Sequence, residues 1–297
     1  MSGPYGRRRY VESLARPEES VLPLWGGHVL RRPVGERVDV ASAYPMGGFD
    51  GTAALSEGLH GLRAAGALSL ALVADPLYAP DPSALAAVAD VHRRLKTHYV
   101  IDRDAGPVRV SKHHRYEIRR ARRLVTVDRV DLGAVMAEWT TLYEHLSARH
   151  AIDAGARLGR GHFAALARDP QALILAARAA GEIVAMAIWL GDGEVAHNHL
   201  GASSDAGYAA GASYALYAAA IEELAGCRIL DLGGMPGLVD DPSHGLARFK
   251  RGFANAERAT WFSGFILDRA GYDAAVAAAG TDPDGTYFPA YRARRSA

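Results

Sequence analysis

The chemically promising residues of this 297-residue chain are concentrated between His197 and Phe265. His197 and His199 stand two apart in an apolar run, a spacing that puts both on one face of a strand. An imidazole titrates near neutral pH, so either could accept a proton from an amine; the alternative is a hydrogen-bonded residue lining a cleft. Two histidines bind a metal only with further ligands, and no third ligand stands at a recognisable spacing, so no metal is expected. Asp231 precedes Leu232-Gly233-Gly234, where it can hold a substrate amine or merely end a strand. The segment Arg248-Phe249-Lys250-Arg251 comes next. An ammonium fixed where water is excluded can stabilise the oxyanion of acyl transfer. The competing reading is a surface lysine on a short helix, with Phe249 as a core anchor. Arg248 and Arg251 add positive charge for an anionic donor.

Two further stretches bear on binding. Gly207, Gly211 and Ser213 lie in a glycine-rich turn before a helix, where free backbone N–H groups can meet a phosphate or carbonyl of the donor. The neighbouring Asp205 speaks against an anion there. Between Ser111 and Arg123 runs a basic helix with Ser111 as its cap. Arg115, Arg119 and Arg122 share one face, and Glu117 is the single acid in the run. Such a face is either solvated or a contact for a phosphorylated acceptor or a polyanion. Cys227, the lone cysteine, excludes an internal disulfide and reads as a buried, inert thiol. No Ser-His-Asp order, Walker loop or dinucleotide fingerprint occurs, so direct transfer is favoured over a covalent acyl-enzyme.

The elements that must carry these residues alternate along the chain. Short strand-like runs mixed with Gly and Pro fill residues 21–41, and Tyr44-Pro45-Met46-Gly47-Gly48-Phe49 is a turn-rich loop. Helices are predicted over residues 52–65, 81–95, 111–123, 132–150 and 160–168. Strands are predicted over 68–74, 97–101, 125–130, 172–177, 183–190 and 194–200, with Gly191-Asp192-Gly193 as a tight hairpin. Helix 209–224, strand 229–232, helix 244–252 and strand 259–267 complete the pattern, and the tail beyond Asp268 reads as Gly- and Pro-containing chain.

Composition bounds the rest. The net charge of +1 excludes a polyanion binder acting over its whole surface, so a nucleic-acid site must be a local patch. No run of about 18 apolar residues suggests a membrane span, and Arg7, Arg8 and Arg9 are not followed by the apolar stretch of a secretory signal. A cytoplasmic enzyme without membrane contact is the expectation; oligomeric state is not legible.

The element order after Leu132 resembles that of the GNAT-like acyltransferases. More narrowly, the chain resembles their Fem branch, which takes aminoacyl groups from tRNA. The resemblance rests on Arg115-Tyr116-Glu117-Ile118-Arg119-Arg120-Ala121, on Asp231-Leu232-Gly233-Gly234 with Phe249-Lys250, and on the loop from Ala43 to Phe49. It implies an α/β (α+β) protein of two GNAT-like halves: a degenerate one over residues 1–131 and a catalytic one with the cleft over 132–297. It also implies that Lys250 stabilises the oxyanion or the tRNA end, that Phe249 stacks on the terminal adenine, and that the Arg115 helix and the Tyr44 loop border the acceptor cleft. There is no room for the helical arm of the cell-wall Fem enzymes, which favours shorter relatives acting on small molecules. The expected activity is transfer from aminoacyl-tRNA to an amine of a small metabolite or peptide, with tRNA as co-substrate and no cofactor. Two alternatives stand beside it: an acyl-CoA (acetyl-CoA) or carrier-protein donor on the same fold, and a non-catalytic RNA-binding or scaffold protein. The Gly207 turn lacks the basic start of a CoA loop.

Overall fold

The computed structural model describes residues 1–235, 237 and 240–293. The chain forms two compact units, Met1–Leu95 with Ala259–Ala297, and Lys96–Arg258. In chain order the first unit opens with α1 (Arg8–Leu14), β1 (Ser20–Leu24), β2 (Gly27–Val34), β3 (Arg37–Ala41), α2 (Leu55–Ala64), β4 (Ala67–Ala74) and α3 (Pro82–Ala86). Strand β5 (Val91–Asp102) leads into the second unit. That unit continues with α4 (Lys112–Ala121), β6 (Thr126–Arg129), α5 (Met136–Arg149), α6 (Arg160–Ala167), β7 (Ala172–Ala179), β8 (Glu182–Gly191), β9 (Val195–Ser203), α7 (Asp205–Ala210), α8 (Ala212–Glu223), β10 (Ile229–Asp231) and α9 (Gly245–Arg251). Strand β11 (Ala256–Ile266) returns to the first unit, which ends with α10 (Arg269–Ala279).

In the first unit the strand order is β1-β2-β3-β4-β11. All neighbours are antiparallel except β3 and β4. Leu70 and Leu72 of β4 alternate toward a core with Trp25, Val29, Val40, Phe49 and Leu59. The same unit buries Asp39. Its carboxylate accepts from Arg32 Nε at 2.9 Å, Arg292 Nε at 2.6 Å and the Tyr291 hydroxyl at 3.2 Å. Two guanidiniums thus balance one buried charge.

In the second unit the order is β5-β10-β9-β8-β7-β6. Strand β10 runs parallel to β9 and antiparallel to β5. The remaining neighbours are antiparallel. Tyr99, Ile101, Trp189, Ala196, Leu230 and Leu232 share a core with Leu216 of α8, Ala247 of α9 and Phe253 just beyond it. The opposite face of β8 and β9 is covered by α5.

The α/β, GNAT-like architecture is as the sequence indicates. The division of the chain differs from a boundary at 131/132. Ala121 and Val125 lie in the same core as Leu175 and Leu230, and β6 pairs with β7, so residues 96–131 pack with the remainder of the second unit. Residues from Ala259 onward pack with the first unit because β11 pairs with β4. Three elements also differ. The helix expected over 81–95 stops at Ala86, although Asp81 caps it through the N–H groups of Ser83 and Ala84. From Val91 the chain becomes strand, as its valine, threonine, tyrosine and isoleucine favour. The helix expected over 209–224 is two helices, broken where Gly211 takes φ +66°. The tail contains α10, capped by Asp268 and ended by Gly280 at φ +63°.

Candidate active site

The site begins where two strands part. Parallel β9 and β10 are paired at Ile229–Val195, Leu230–Ala196 and Asp231–His197. Strand β10 ends at Asp231, whose Oδ1 accepts the Gly233 N–H at 2.7 Å. Gly233 turns the chain away at φ +80°, which a side chain would oppose. Strand β9 continues to Ser203 with an irregularity: Asn198 stands opposite Trp189 and Leu200 opposite Ile188. His199 is the extra residue of a β-bulge, a device that re-aims side chains.

Alternation across β10 sends Leu230 and Leu232 into the core and Asp231 to the other face. There Asp231 meets two histidines. Its Oδ2 lies 2.7 Å from His98 Nδ1 of β5 and 3.2 Å from His197 Nδ1 of β9. Burial pushes the Asp231 carboxyl up, but the nearby histidines and their hydrogen bonds outweigh it and hold the group far below the usual carboxylate range. An ionised carboxylate only accepts, so both Nδ1 atoms carry the hydrogen. Behind them His162 Nε2 and His199 Nε2 lie 3.2 Å apart. Burial lowers His162 to about 4. Burial and the neighbouring histidines hold His199 well below its ordinary value.

Lys250 enters from α9. Its side chain is 7% exposed, and Nζ donates to the Gly234 carbonyl at 2.6 Å. Burial lowers its pKa to about 8; Asp231 opposes this shift and Lys96 adds to it. A Cβ on Gly233 would lie 3.0 Å from Nζ and 3.9 Å from the Asn198 carbonyl oxygen, so the glycine leaves room for the ammonium just beyond the end of β10. Nearby, Asp240 accepts from the N–H and hydroxyl of Thr97 at 3.0 and 2.7 Å.

Phe249 faces a cluster of rings. Its centroid lies 4.9 Å from Tyr217, 5.0 Å from Tyr214, 5.3 Å from Phe253 and 5.7 Å from His114. His114 Nε2 donates to the Phe249 carbonyl at 2.8 Å, and Ser111 meets Nδ1 at 2.9 Å. Burial, the largest cause, lowers the His114 pKa. On the far side of the cluster the Tyr217 hydroxyl donates to Asn198 Oδ1 at 2.9 Å.

The other expected residues are spread more widely. Arg248 is exposed, and Arg251 donates to the Tyr99 hydroxyl at 3.1 Å. On α4, Arg115 donates to the Val110 carbonyl and Arg122 pairs with Glu222 at 2.7 Å, so the basic face is partly compensated; Arg119 is exposed. Gly207 packs so closely that a Cβ would lie 2.3 Å from the Val184 carbonyl oxygen, and its N–H is taken by Ser204. Ser213 is half-buried in the first turn of α8. Tyr44 belongs to the first unit, 63% exposed, and its carbonyl accepts from the Tyr10 hydroxyl. Cys227 is buried, and burial raises its thiol pKa. Lys250, Asp231 and His197 are therefore brought together with His98, which no sequence motif singles out. Its signal is a histidine inside the apolar 97–101 strand, on the same face as Val100 and, across the ladder, Asp231. A cavity of about 410 Å³ lined by Glu144, His145, Ala148, Arg149, Ser203 and Asp205 includes none of these site residues.

Residues 109–251 match the family model described as an acetyltransferase (GNAT) domain. This segment is a GNAT acyltransferase domain. No curated protein matches the chain. Among solved structures, FemX superposes with a TM-score of 0.63 at 13% identity, covering 92% of this chain and 95% of that one. L-PGS from Bacillus licheniformis gives 0.62 at 16% identity, covering 88% and 87%. The C-terminal domain of a protein described as a lysylphosphatidylglycerol synthetase from Agrobacterium fabrum gives 0.61 at 17%, covering 91% and 89%. The likeness is one of fold, and it extends over most of the chain in each case.

Proposed function

We propose that this GNAT acyltransferase moves an aminoacyl group from aminoacyl-tRNA to the amine of a small metabolite or peptide, forming an amide. The observation that carries the reading is the buried Lys250 ammonium just beyond the end of β10, beside Gly233 and held by the Gly234 carbonyl. An aminoacyl ester is already activated. The protein needs to align the amine and ester and to stabilise the negative oxygen of the tetrahedral intermediate. Lys250 is the group for the latter task. The glycine turn supports the choice of donor. The Gly207 N–H is held by Ser204, and Asp205 opens α7 while pairing with Arg149 at 3.0 Å, so an acid stands where a CoA pyrophosphate would need a cation. The fold shared with FemX and with proteins named for lysylphosphatidylglycerol synthesis points the same way. Among the described residues no helix is long and apolar enough to cross a membrane. A tRNA donor would place the reaction in the cytoplasm, with the exposed Arg115 and Arg119 available to phosphates.

The acetyltransferase description of the matching family favours a second reading, an acyl-CoA donor at the same site. The two separate in one experiment. Purified protein is offered charged tRNA or acetyl-CoA with a panel of amines, and amide products are read by mass spectrometry. Turnover with charged tRNA, reduced about 10²–10³-fold in a single turnover by Lys250→Met, is the expected result. Turnover with acetyl-CoA alone would overturn the tRNA donor.

A further inference from the structure

The histidines flagged by sequence are poorly placed to take the proton that amide formation releases. His197 is 1% exposed. His199 and His162 are held neutral by burial and direct their Nε2 atoms at one another. His98 differs on both counts. Its ring is 12% exposed, and its Nδ1 is fixed on Asp231 at 2.7 Å, the shorter of the two histidine contacts to that oxygen. With Nδ1 carrying the hydrogen, Nε2 keeps its lone pair.

That lone pair lies beside the glycine whose carbonyl holds Lys250. Gly234 packs against the imidazole: a Cβ there would lie 3.1 Å from His98 Cδ2, 3.4 Å from Nε2 and 2.9 Å from the Thr97 carbonyl oxygen. The Gly234 carbonyl in turn holds Lys250 Nζ at 2.6 Å. One glycine therefore carries the imidazole edge on one side and the ammonium on its carbonyl. This is the separation of tasks that acyl transfer needs, a base for the nucleophile and a cation for the oxygen. The other charged or titratable groups around His98 are Asp231 and His197 on its own face, Lys250 from α9, and Lys96 with Asp240 at the Thr97 end.

We propose that His98 is the general base of the transfer, with Asp231 as its positioning residue. The proposal rests on the acyl-transfer reading and holds for either donor. The amine lone pair forms the new C–N bond, and the carbonyl π pair moves to the oxygen facing Lys250. His98 Nε2 takes the proton from nitrogen. The oxyanion then collapses, the C–O bond of the ester breaks (C–S in a thioester), and the leaving oxygen or sulfur receives that proton from His98. No oxidant or further reactant is required.

The test compares wild type, His98→Gln and Asp231→Asn with charged tRNA and with acetyl-CoA. His98→Gln is expected to lose about 10²-fold or more in kcat with little change in donor KM, and to lose the acid limb of the pH–rate profile. Imidazole added to His98→Gly should restore part of the rate. Asp231→Asn should distort the pH profile as well as lower kcat, since the tautomer is no longer fixed. Full kcat and an unaltered profile in His98→Gln would overturn the base role, whichever donor the wild type uses. Wild-type turnover with acetyl-CoA alone, abolished by His98→Gln, would overturn the tRNA reading and keep the base. The tautomer gives a readout without substrate: nitrogen NMR of the wild-type imidazole should show hydrogen on Nδ1 and a bare Nε2, and the reverse pattern would overturn the proposal.

Discussion

Asp39 in the first unit and Asp231 in the second are both sealed from solvent, at 0% and 1% exposure, yet they keep different company. Asp39 is gripped by Arg32 and Arg292, whose guanidiniums stay charged at any pH the protein meets. Asp231 is gripped by His98 and His197, with Lys250 close by and lowered to about 8. A buried carboxylate costs solvation energy in either place. Permanent cations offset that cost and leave nothing that can gain or lose a proton. Titratable partners offset it while keeping protons available for chemistry. The same residue type thus serves as a fixed clamp in one unit and as the hub of a titratable cluster in the other.

The clamp should be the more costly to break. Asp39→Ala leaves two guanidiniums without their shared partner and is expected to cost about 3–5 kcal/mol in chemical denaturation. The deficit should stay level between about pH 6 and about pH 9, because arginine does not titrate there. A loss below about 1 kcal/mol would erase the contrast.

Lys250→Met should have the opposite sign. The lysine ionises at 10.5 when free and at about 8 when folded, so below about 8 both states are protonated and the native protein carries the whole cost of burying the ammonium. Between those values the folded state releases its proton first, the unfolded state binds more protons, and wild-type stability rises with pH. The methionine variant is therefore expected to be more stable near neutral pH by roughly 1–3 kcal/mol, an advantage that shrinks toward about pH 10. Paired denaturation curves at the two pH values measure it. An equal difference at both would show that the ammonium is not desolvated.

The smallest effect on folding belongs to the exposed helix α4. Replacing Arg115 and Arg119 by Ala should alter stability by no more than about 0.5 kcal/mol. It should nevertheless flatten the salt dependence of tRNA binding, since each lost phosphate contact removes a released counterion. An unchanged slope would leave this face solvated.

Much of the second unit was legible from its sequence. The 172–177, 183–190 and 194–200 strands, the Gly191-Asp192-Gly193 hairpin and the Ser111 cap follow from alternation and turn chemistry, and each has its counterpart in the structure. Lys250, Phe249, His197 and Asp231 stood out by residue type and neighbours. His98 did not, because its significance comes from Asp231, which is distant in sequence and reaches it diagonally across a ladder. The burial of Lys250 was equally hidden: a lysine in an Arg-Phe-Lys-Arg run reads as surface, and its packing beside Gly233 and Gly234 is a tertiary contact. The unit boundary escaped for the same kind of reason, since local patterning cannot tell that β11 pairs with β4.

The three residues of β10 constrain the order in which the protein can fold. Their partners in β5 and β9 are synthesised earlier, and β10 must enter between them. Such distant pairings close large loops and form late. A nascent chain that has emerged as far as Glu223 already owns His98 and His197 but not the carboxylate that aligns them. Until Asp231 leaves the ribosome and β10 inserts, the growing polypeptide holds His98 and His197 without the carboxylate that joins them.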